Sequence, residues 1–143
     1  MKTGRNIYTL IDANVNRAKE GLRVIEDISR FLLADKKISP KLKSIRHCVD
    51  TGVKKIPEGY SFLLRNRYSE NDVGRHTAGK SELTRGSISD LLASNFKRVQ
   101  ESFRVLEEVT KLVSVQAAVI FKELRYRTYE LEKEMLKSYE KKL

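Results

Sequence analysis

One polar motif occurs twice in this chain, with an offset of 81 residues between equivalent positions. The motif reads N-x-x-R-x-x-E-x-x-R-V-x-E, and the apolar residues between its polar positions match as well. The first copy consists of Asn14, Arg17, Glu20, Arg23, Val24 and Glu26, and the second of Asn95, Arg98, Glu101, Arg104, Val105 and Glu107. A weaker similarity follows each copy, because residues 42–47 resemble residues 121–126. Such a repeat predicts one supersecondary unit used twice. We therefore expect two similar helical hairpins, residues 10–56 and 88–135, that superpose about a pseudo-twofold axis.

The hydrophobic spacing predicts an all-α fold with four main helices and no strands. Apolar residues recur with a period near 3.6 in residues 10–34, and similar patterns indicate helices from Ser39 to Pro57, from Ser87 or Ser89 to Val113, and from Val115 onward. Thr9 or Asp12 is expected to cap the first helix, and Ser39 the second with Pro40 at its first position.

The segment from Tyr60 to Gly86 separates the two hairpins and lacks a long periodic pattern. It is rich in charged residues, including Arg65, Arg67 and Asp72. Long connections inside a compact domain are uncommon and are often functional. We therefore expect a long connecting loop between helices two and three that contacts the substrate.

The composition is that of one globular domain. The 143 residues are 40 % hydrophobic, which is enough for one core, and no apolar run reaches membrane-spanning length. No signal-like stretch opens the chain, and the single Cys48 excludes both an internal disulfide framework and a cysteine zinc cluster. We therefore expect a single domain over residues 1–143, a cytoplasmic location and no membrane partner.

The formal net charge of +10 favours an anionic partner: a nucleic acid, an anionic membrane or a phosphorylated small molecule. The informative positive charges are the arginines embedded in the apolar periodicity. Arg17 and Arg98 fall on the border of the core stripe, each three residues after an asparagine. Arginine binds phosphate with a planar, bidentate fork. Asn14 with Arg17 and Asn95 with Arg98 thus resemble two equivalent phosphate grips, and Gly21 beside them permits close backbone approach.

Two groups of polar residues allow more than one interpretation. Glu20, Arg23, Glu26 and Arg30 are spaced for a ladder of ion pairs along one helix, or for catalysis. Asp72 before Val73-Gly74 indicates a turn, or equally a carboxylate that holds Mg²⁺ or orients a hydroxyl.

The segment Asp12-Ala13-Asn14-Val15-Asn16-Arg17-Ala18-Lys19-Glu20-Gly21-Leu22-Arg23-Val24-Ile25-Glu26-Asp27 resembles the opening helix of the small bacterial hydroxymethylpyrimidine phosphate kinases. The resemblance continues through residues 42–47, 72–74, 93–98 and 121–127, in the same order. These kinases occur alone or fused ahead of thiamine phosphate synthase. No synthase portion is present in this sequence, so we expect the stand-alone form.

The resemblance implies transfer of the ATP γ-phosphoryl group to 4-amino-5-hydroxymethyl-2-methylpyrimidine monophosphate, with Mg²⁺, for thiamine biosynthesis. Partners would then be the phosphorylated pyrimidine and a nucleotide, without nucleic acid, and a homodimer is one arrangement compatible with the sequence. The candidate catalytic residues are Arg17, Arg98 and Asp72. The candidate phosphate- or substrate-binding residues are Asn14, Asn95, Arg46, His47, Arg65, Arg67 and Arg125. The candidate magnesium ligands are Glu26 and Glu107.

Two other classes fit part of the pattern. A basic helical nucleic-acid-binding protein would account for the net charge, but it should display its cations on one exposed face. Here the arginines alternate with glutamates at core borders. A non-catalytic helical interaction module would use the same charges only to pair helices.

Overall fold

The fold is known from a computed structural model that describes residues 6–57, 59–77, 79 and 83–142. The described residues form α-helices without strands, as the sequence predicted. The helices are α1 (Ile7–Asp27), α2 (Ile38–Lys54), α3 (Gly59–Arg65), α4 (Ile88–Thr110) and α5 (Val115–Lys142). A π-helical turn, Ile28–Leu32, extends α1, and a 3-10 turn, Ser69–Asn71, follows α3. Across these described ranges, each helix is too short or too polar to cross a membrane.

Side-chain caps define where the helices begin. Asn6 caps α1, since its Oδ1 accepts from the amides of Tyr8 at 2.8 Å and Thr9 at 3.2 Å, while Thr9 Oγ1 accepts from the Asn6 amide. Thr9 therefore completes this box from inside the helix, and the predictions of Thr9 or Asp12 as the cap were wrong. Ser87 caps α4, accepting from the Asp90 amide at 3.1 Å, so the helix starts at the first of the two predicted positions.

The start of α2 differs from the prediction. The N-cap is Lys37 and not Ser39, and Asp35 Oδ1 accepts from the amides of Lys37 at 2.9 Å and Ile38 at 2.8 Å at this helix start. Ser39 instead lies inside the first turn, and its Oγ contacts Ser29 Oγ at 2.7 Å. The helix therefore begins at Ile38, which buries one more apolar residue.

The core lies between the four long helices. The most extensive packing is between α1 and α4. The next is between α4 and α5, followed by that between α5 and α2. The fully buried side chains recur at helical spacing in both repeats, and Leu63 of α3 adds one from the connecting segment. The largest are Phe96, Phe103, Phe121, Ile11, Leu22, Ile25, Ile38, Leu42, Ile45, Leu63, Leu106 and Leu124.

Equivalent tertiary contacts recur in the two hairpins. Arg46 Nε donates to Glu26 at 2.8 Å, which joins α2 to α1. Arg125 donates to Glu107 at 2.9 Å, which joins α5 to α4 in the same way. The internal duplication predicted from the sequence is therefore present as repeated contacts, whereas the repeat bounds and their superposition stay predictions.

The connecting segment is more ordered than the sequence suggested. Its first part forms α3, where Leu63 is fully buried, and it continues into the 3-10 turn. The missed helix is short and carries one core residue, so its periodicity is too brief to recognise. Part of the predicted loop, residues 78 and 80–82, lies outside the described residues.

Gly52 sets the closest approach of α2 to α5. A Cβ at this position would lie 2.8 Å from Phe121 Cζ and 3.1 Å from Cε1, and the ring is fully buried. Glycine is required here because the aromatic ring fills the space of a side chain.

We expect Gly52→Ala to lower the free energy of unfolding by about 1–2 kcal/mol, although alanine favours the helix by about 1 kcal/mol. Gly79→Ala is the control, because a Cβ there meets no described atom within 4 Å. Urea unfolding of both variants measures the difference. A Gly52→Ala protein as stable as the parent would contradict the packing argument.

Candidate functional site

A cavity of about 760 Å³ opens between α1, the connecting segment and α4. We call it the arginine cavity, because three arginines from three different elements line it. It lies within the range of about 300–1,000 Å³ that is typical of small-molecule sites. The lining residues are Asn6, Thr9, Leu10, Asp12, Ala13, Asn14, Asn16, Arg17, Glu20, Arg67, Tyr68, Ser69, Asn71, Asp72, Val73 and Arg98.

Arg17 is positioned by Asn14, as the sequence predicted. Asn14 is 5 % exposed, and its Nδ2 donates to the Leu10 carbonyl at 3.0 Å. This bond orients the amide, so that Asn14 Oδ1 accepts from Arg17 Nη1 at 3.0 Å. The exposed guanidinium is thereby held at the cavity with donors left for an anion.

The second Asn–Arg pair repeats one of the two contacts of the first pair. Asn95 Nδ2 donates to the Leu91 carbonyl at 2.8 Å, which repeats the Asn14 contact. Arg98 reaches the same cavity as Arg17, but within the described part of the chain its guanidinium has no hydrogen bond to Asn95. The structure thus brings Arg17 and Arg98 together and leaves Asn95 outside the lining.

Asp12 also lines the arginine cavity, although the sequence predicted no site role for it and indicated only a possible helix cap. Its side chain is 4 % exposed and accepts a bidentate pair from Arg67, at 2.8 Å from Nε and 3.0 Å from Nη2. Hydrogen bonds to Asp12 and to Tyr60 raise the pKa of Arg67 above its ordinary value. The sequence did contain a signal for this pair, because Asp12 lies on the apolar stripe three residues before Val15. A carboxylate at such a position needs a hydrogen-bonding partner.

The wall that carries Arg67 is tied to the first turn of α1. Asn6 Nδ2 donates to Asn66 Oδ1 at 2.8 Å, and Thr9 Oγ1 donates to the Asn66 carbonyl at 2.7 Å. Together with the Asp12–Arg67 pair, these bonds hold the connecting segment against α1. The cavity therefore has two walls fixed by hydrogen bonds and a third formed by α4.

Asp72 lies in the arginine cavity and also forms a turn. Its Oδ1 accepts from the Gly74 amide at 2.8 Å, which is an Asx turn. The turn interpretation is therefore confirmed as a contact. A role of Asp72 toward Mg²⁺ or a hydroxyl stays a prediction.

Several predicted site residues lie away from the arginine cavity. Arg46 and Arg125 are bound to Glu26 and Glu107, and hydrogen bonds to Tyr129 and to Glu107 raise the pKa of Arg125. The cavity lining also omits His47, which is exposed on α2, and Arg65, whose guanidinium lies 5.6 Å from the Phe62 ring centre. Binding roles for these residues stay predictions that the cavity does not support.

The predicted magnesium ligands, Glu26 and Glu107, are absent from the lining of the arginine cavity. Glu26 and Glu107 are 2 % and 5 % exposed, and each carboxylate is occupied by an arginine from another helix. The described residues contain no group of three or more acidic, histidine or cysteine side chains suited to a metal. Mg²⁺ is usually held by one or two carboxylates together with substrate phosphates. Asp72 and Glu20 fit that mode, because both line the arginine cavity.

The ion-pair alternative for the repeated charges is confirmed in part. Within helices, Arg23 lies 3.7 Å from Glu26 and Arg104 lies 3.1 Å from Glu107. Glu20 takes no part in this ladder within the described residues. The glutamates at the end of each motif therefore join helices, while Glu20 faces the cavity.

The fold and this cavity define a duplicated all-helical protein with a small-molecule-sized cavity, lined by three arginines and by the carboxylates Asp12, Glu20 and Asp72. The ThiD2 family matches residues 9–134, and the chain belongs to that family. It is similar to proteins named thiamine-phosphate synthase, with 37 % identity over 132 residues in Synechocystis sp., 35 % over 133 in Prochlorococcus marinus (strain AS9601) and 34 % over 131 in Rhodopirellula baltica.

Those matches cover 92 %, 91 % and 92 % of this chain, and 37 %, 35 % and 34 % of the respective relatives. The chain thus spans about a third of the length of the curated relatives it matches. No solved structure matches it significantly.

We expect Arg46→Met to lower the free energy of unfolding by about 2–4 kcal/mol, because it leaves the buried Glu26 carboxylate without its close partner. Lys41→Met is the matched control. It removes an exposed pair with Glu134 and should change stability by less than about 1 kcal/mol. Thermal and urea unfolding measure the stability of both variants. If Arg46→Met and Lys41→Met lost equal stability, the pair with Glu26 would contribute no more than an exposed ion pair.

Proposed function

We propose that this chain transfers the γ-phosphoryl group of ATP to 4-amino-5-hydroxymethyl-2-methylpyrimidine monophosphate. The observation that carries the proposal is the meeting of Arg17 and Arg98, one from each repeat, in a single cavity of about 760 Å³. Membership of the ThiD2 family and relatives named thiamine-phosphate synthase support a role in thiamine biosynthesis.

The reaction places two anions next to each other, so charge neutralisation is its main requirement. Phosphoryl transfer depends chiefly on positioning and electrostatic stabilisation. In our proposal Arg17, held by Asn14, and Arg98 bind the phosphates that meet in the cavity. Arg67 already shares its fork with Asp12, and it therefore shapes the wall more than it neutralises a ligand.

The nucleophile is a phosphate oxygen of the acceptor, which is largely ionised near pH 7. This oxygen bonds to the γ-phosphorus as the bond from that phosphorus to the β–γ bridging oxygen breaks, and ADP leaves with the electron pair. A strong general base is not required, which agrees with a cavity whose lining contains no histidine among the described residues. Mg²⁺ bound with ATP would neutralise phosphate charge, and Glu20 and Asp72 are the residues we propose to hold it.

The cavity also bears on the two rival classes. A nucleic-acid binder needs arginines displayed on one open face. Arg46, Arg67 and Arg125 instead bind partly or fully buried carboxylates in this chain. A non-catalytic interaction module would not need a cavity of small-molecule size, which this chain has. The arginines left at the cavity favour a small phosphorylated ligand over either rival.

We expect the pyrimidine monophosphate to be phosphorylated and the free pyrimidine alcohol to be left unchanged. The reason is that an alcohol leaves the cavity arginines without the anion that compensates them. ATP consumption is measured with the monophosphate, with the alcohol, and with neither. Similar rates for the two acceptors would contradict the proposal, and so would absence of turnover with the monophosphate.

We expect Arg17→Lys and Arg98→Lys each to lower kcat/KM by roughly 10- to 100-fold, because lysine keeps the charge but loses the bidentate fork. Both side chains are exposed, so both variants should melt like the parent. Lys97→Arg, on the exposed surface of α4, is a control that should leave kcat/KM unchanged. Full activity in a folded double variant would exclude the paired grip.

A further inference from the structure

The duplication is broken at the residues that surround Arg17. Asp12 corresponds to Ala93 in the second repeat, and Asn16 corresponds to Lys97. Tyr60 also has no equivalent, because it belongs to the connecting segment that lies between the repeats. The repeated arginines are suited to phosphate groups, because the two proposed substrates together carry several phosphates. The residues without an equivalent are suited to a chemical group that is present only once in the ligands.

A second cavity of about 470 Å³ lies on the other side of Asn16. We call it the Tyr60 cavity. Its wall combines the apolar side chains of Val15 and Val53 with the ring of Tyr60, which is 53 % exposed. The charged side chains of Lys19, Asp50 and Lys54 complete the lining, and Lys19 pairs with Asp50 at 2.7 Å. Asn16 and Glu20 line both cavities and therefore form their common border. An aromatic ring beside an apolar wall is a surface on which a flat heterocycle stacks.

The orientation of the Asn16 amide is fixed. Its Nδ2 lies 2.9 Å from the Asp12 backbone carbonyl and 3.2 Å from Asp12 Oδ1, and both of these atoms only accept hydrogen bonds. The nitrogen must face them, so the amide oxygen faces away. Among the described residues, no group donates to this oxygen. Asn16 thus offers an acceptor, at the border of the two cavities, to a ligand that carries an N–H donor.

We propose that the Tyr60 cavity binds the ring of the aminopyrimidine acceptor, with its exocyclic amine donating to Asn16 Oδ1. This inference rests on the proposed function. In that acceptor the amine and the phosphorylated methylene are carried by neighbouring ring carbons. Their partners must therefore lie close together, and Asn16 and Arg17 both line the arginine cavity. The adenine amine of ATP is a poorer fit, because a ribose and the phosphate chain separate it from the reacting phosphorus.

The test compares the 4-amino acceptor with its 4-oxo analogue, which presents a carbonyl where the amine stood. Calorimetric titration without nucleotide gives both affinities. The parent should prefer the amino compound by roughly 10- to 100-fold, because two opposed acceptors leave a polar contact unsatisfied. Asn16→Ala should reduce this preference to less than about 3-fold. Lys97→Ala, at the equivalent position of the second repeat, should keep the full preference.

A second arm separates the two amines. Affinities for ATP and for inosine triphosphate, which lacks the adenine amine, are measured on the parent and on Asn16→Ala. We expect their ratio to be the same in both proteins. A changed nucleotide ratio would assign Asn16 to adenine and overturn the inference, as would an unchanged amino-over-oxo preference in a folded Asn16→Ala protein.

Tyr60 supplies an independent check if Asn16→Ala does not fold. Tyr60→Ala should weaken binding of the aminopyrimidine monophosphate roughly 10-fold, and Tyr60→Phe should stay within about 3-fold of the parent. Equal losses in both variants, or none in Tyr60→Ala, would overturn the ring site. If the parent fails to bind the pyrimidine, the inference and the proposed function fall together. If it binds and discriminates but shows no turnover with ATP, only the proposed function fails.

Discussion

The close approach of α1 and α4 at Gly21 is the constraint on which the site depends. A Cβ at Gly21 would lie 2.7 Å from Val99 Cγ2 and 3.4 Å from the Asn95 carbonyl oxygen. Arg17 lies one helical turn before Gly21, and Arg98 is the neighbour of Val99. The missing side chain therefore lets the two helices approach until arginines from different repeats line one cavity. The second repeat has Ser102 at the position equivalent to Gly21, and its hydroxyl donates to the Arg98 carbonyl within α4 at 2.7 Å.

A duplicated scaffold creates equivalent positions, but a site for unlike ligands requires them to diverge. The contacts that hold each hairpin together have stayed alike, as the pairs of Glu26 with Arg46 and Glu107 with Arg125 demonstrate. The cavity residues have not, since Asp12 anchors the connecting segment where the second repeat has an alanine. The symmetric part of the structure thus provides stability and the arginine pair, and the asymmetric part determines the cavity shape.

Sequence periodicity was sufficient for the four long helices and for the pairing of Arg17 with Asn14, because these depend on residues three to seven positions apart. The repeat was visible because one motif recurs with the same internal spacing 81 residues later. Periodicity did not predict the closest partners of Glu26 and Glu107. Their spacing from Arg23 and Arg104 is visible in the sequence, whereas their closest partners come from other helices. It also missed the Asp12–Arg67 pair, which spans 55 residues and joins a long helix to the irregular segment. Short-range pattern cannot determine such pairs, because they depend on how elements pack.

The positive charge of this chain is divided between two roles that the net value of +10 does not distinguish. Arg46, Arg67 and Arg125 are the least exposed partners of buried carboxylates, and removing one partner of a buried pair costs several kcal/mol. These cations are not available to an external anion. Arg17 is bound only to a neutral amide, and Arg98 has no carboxylate partner in the described chain. Glu20 and Asp72 line the same cavity, but neither forms an ion pair with these two arginines among the described residues. For this reason we propose that phosphate binds in this cavity rather than along the basic surface.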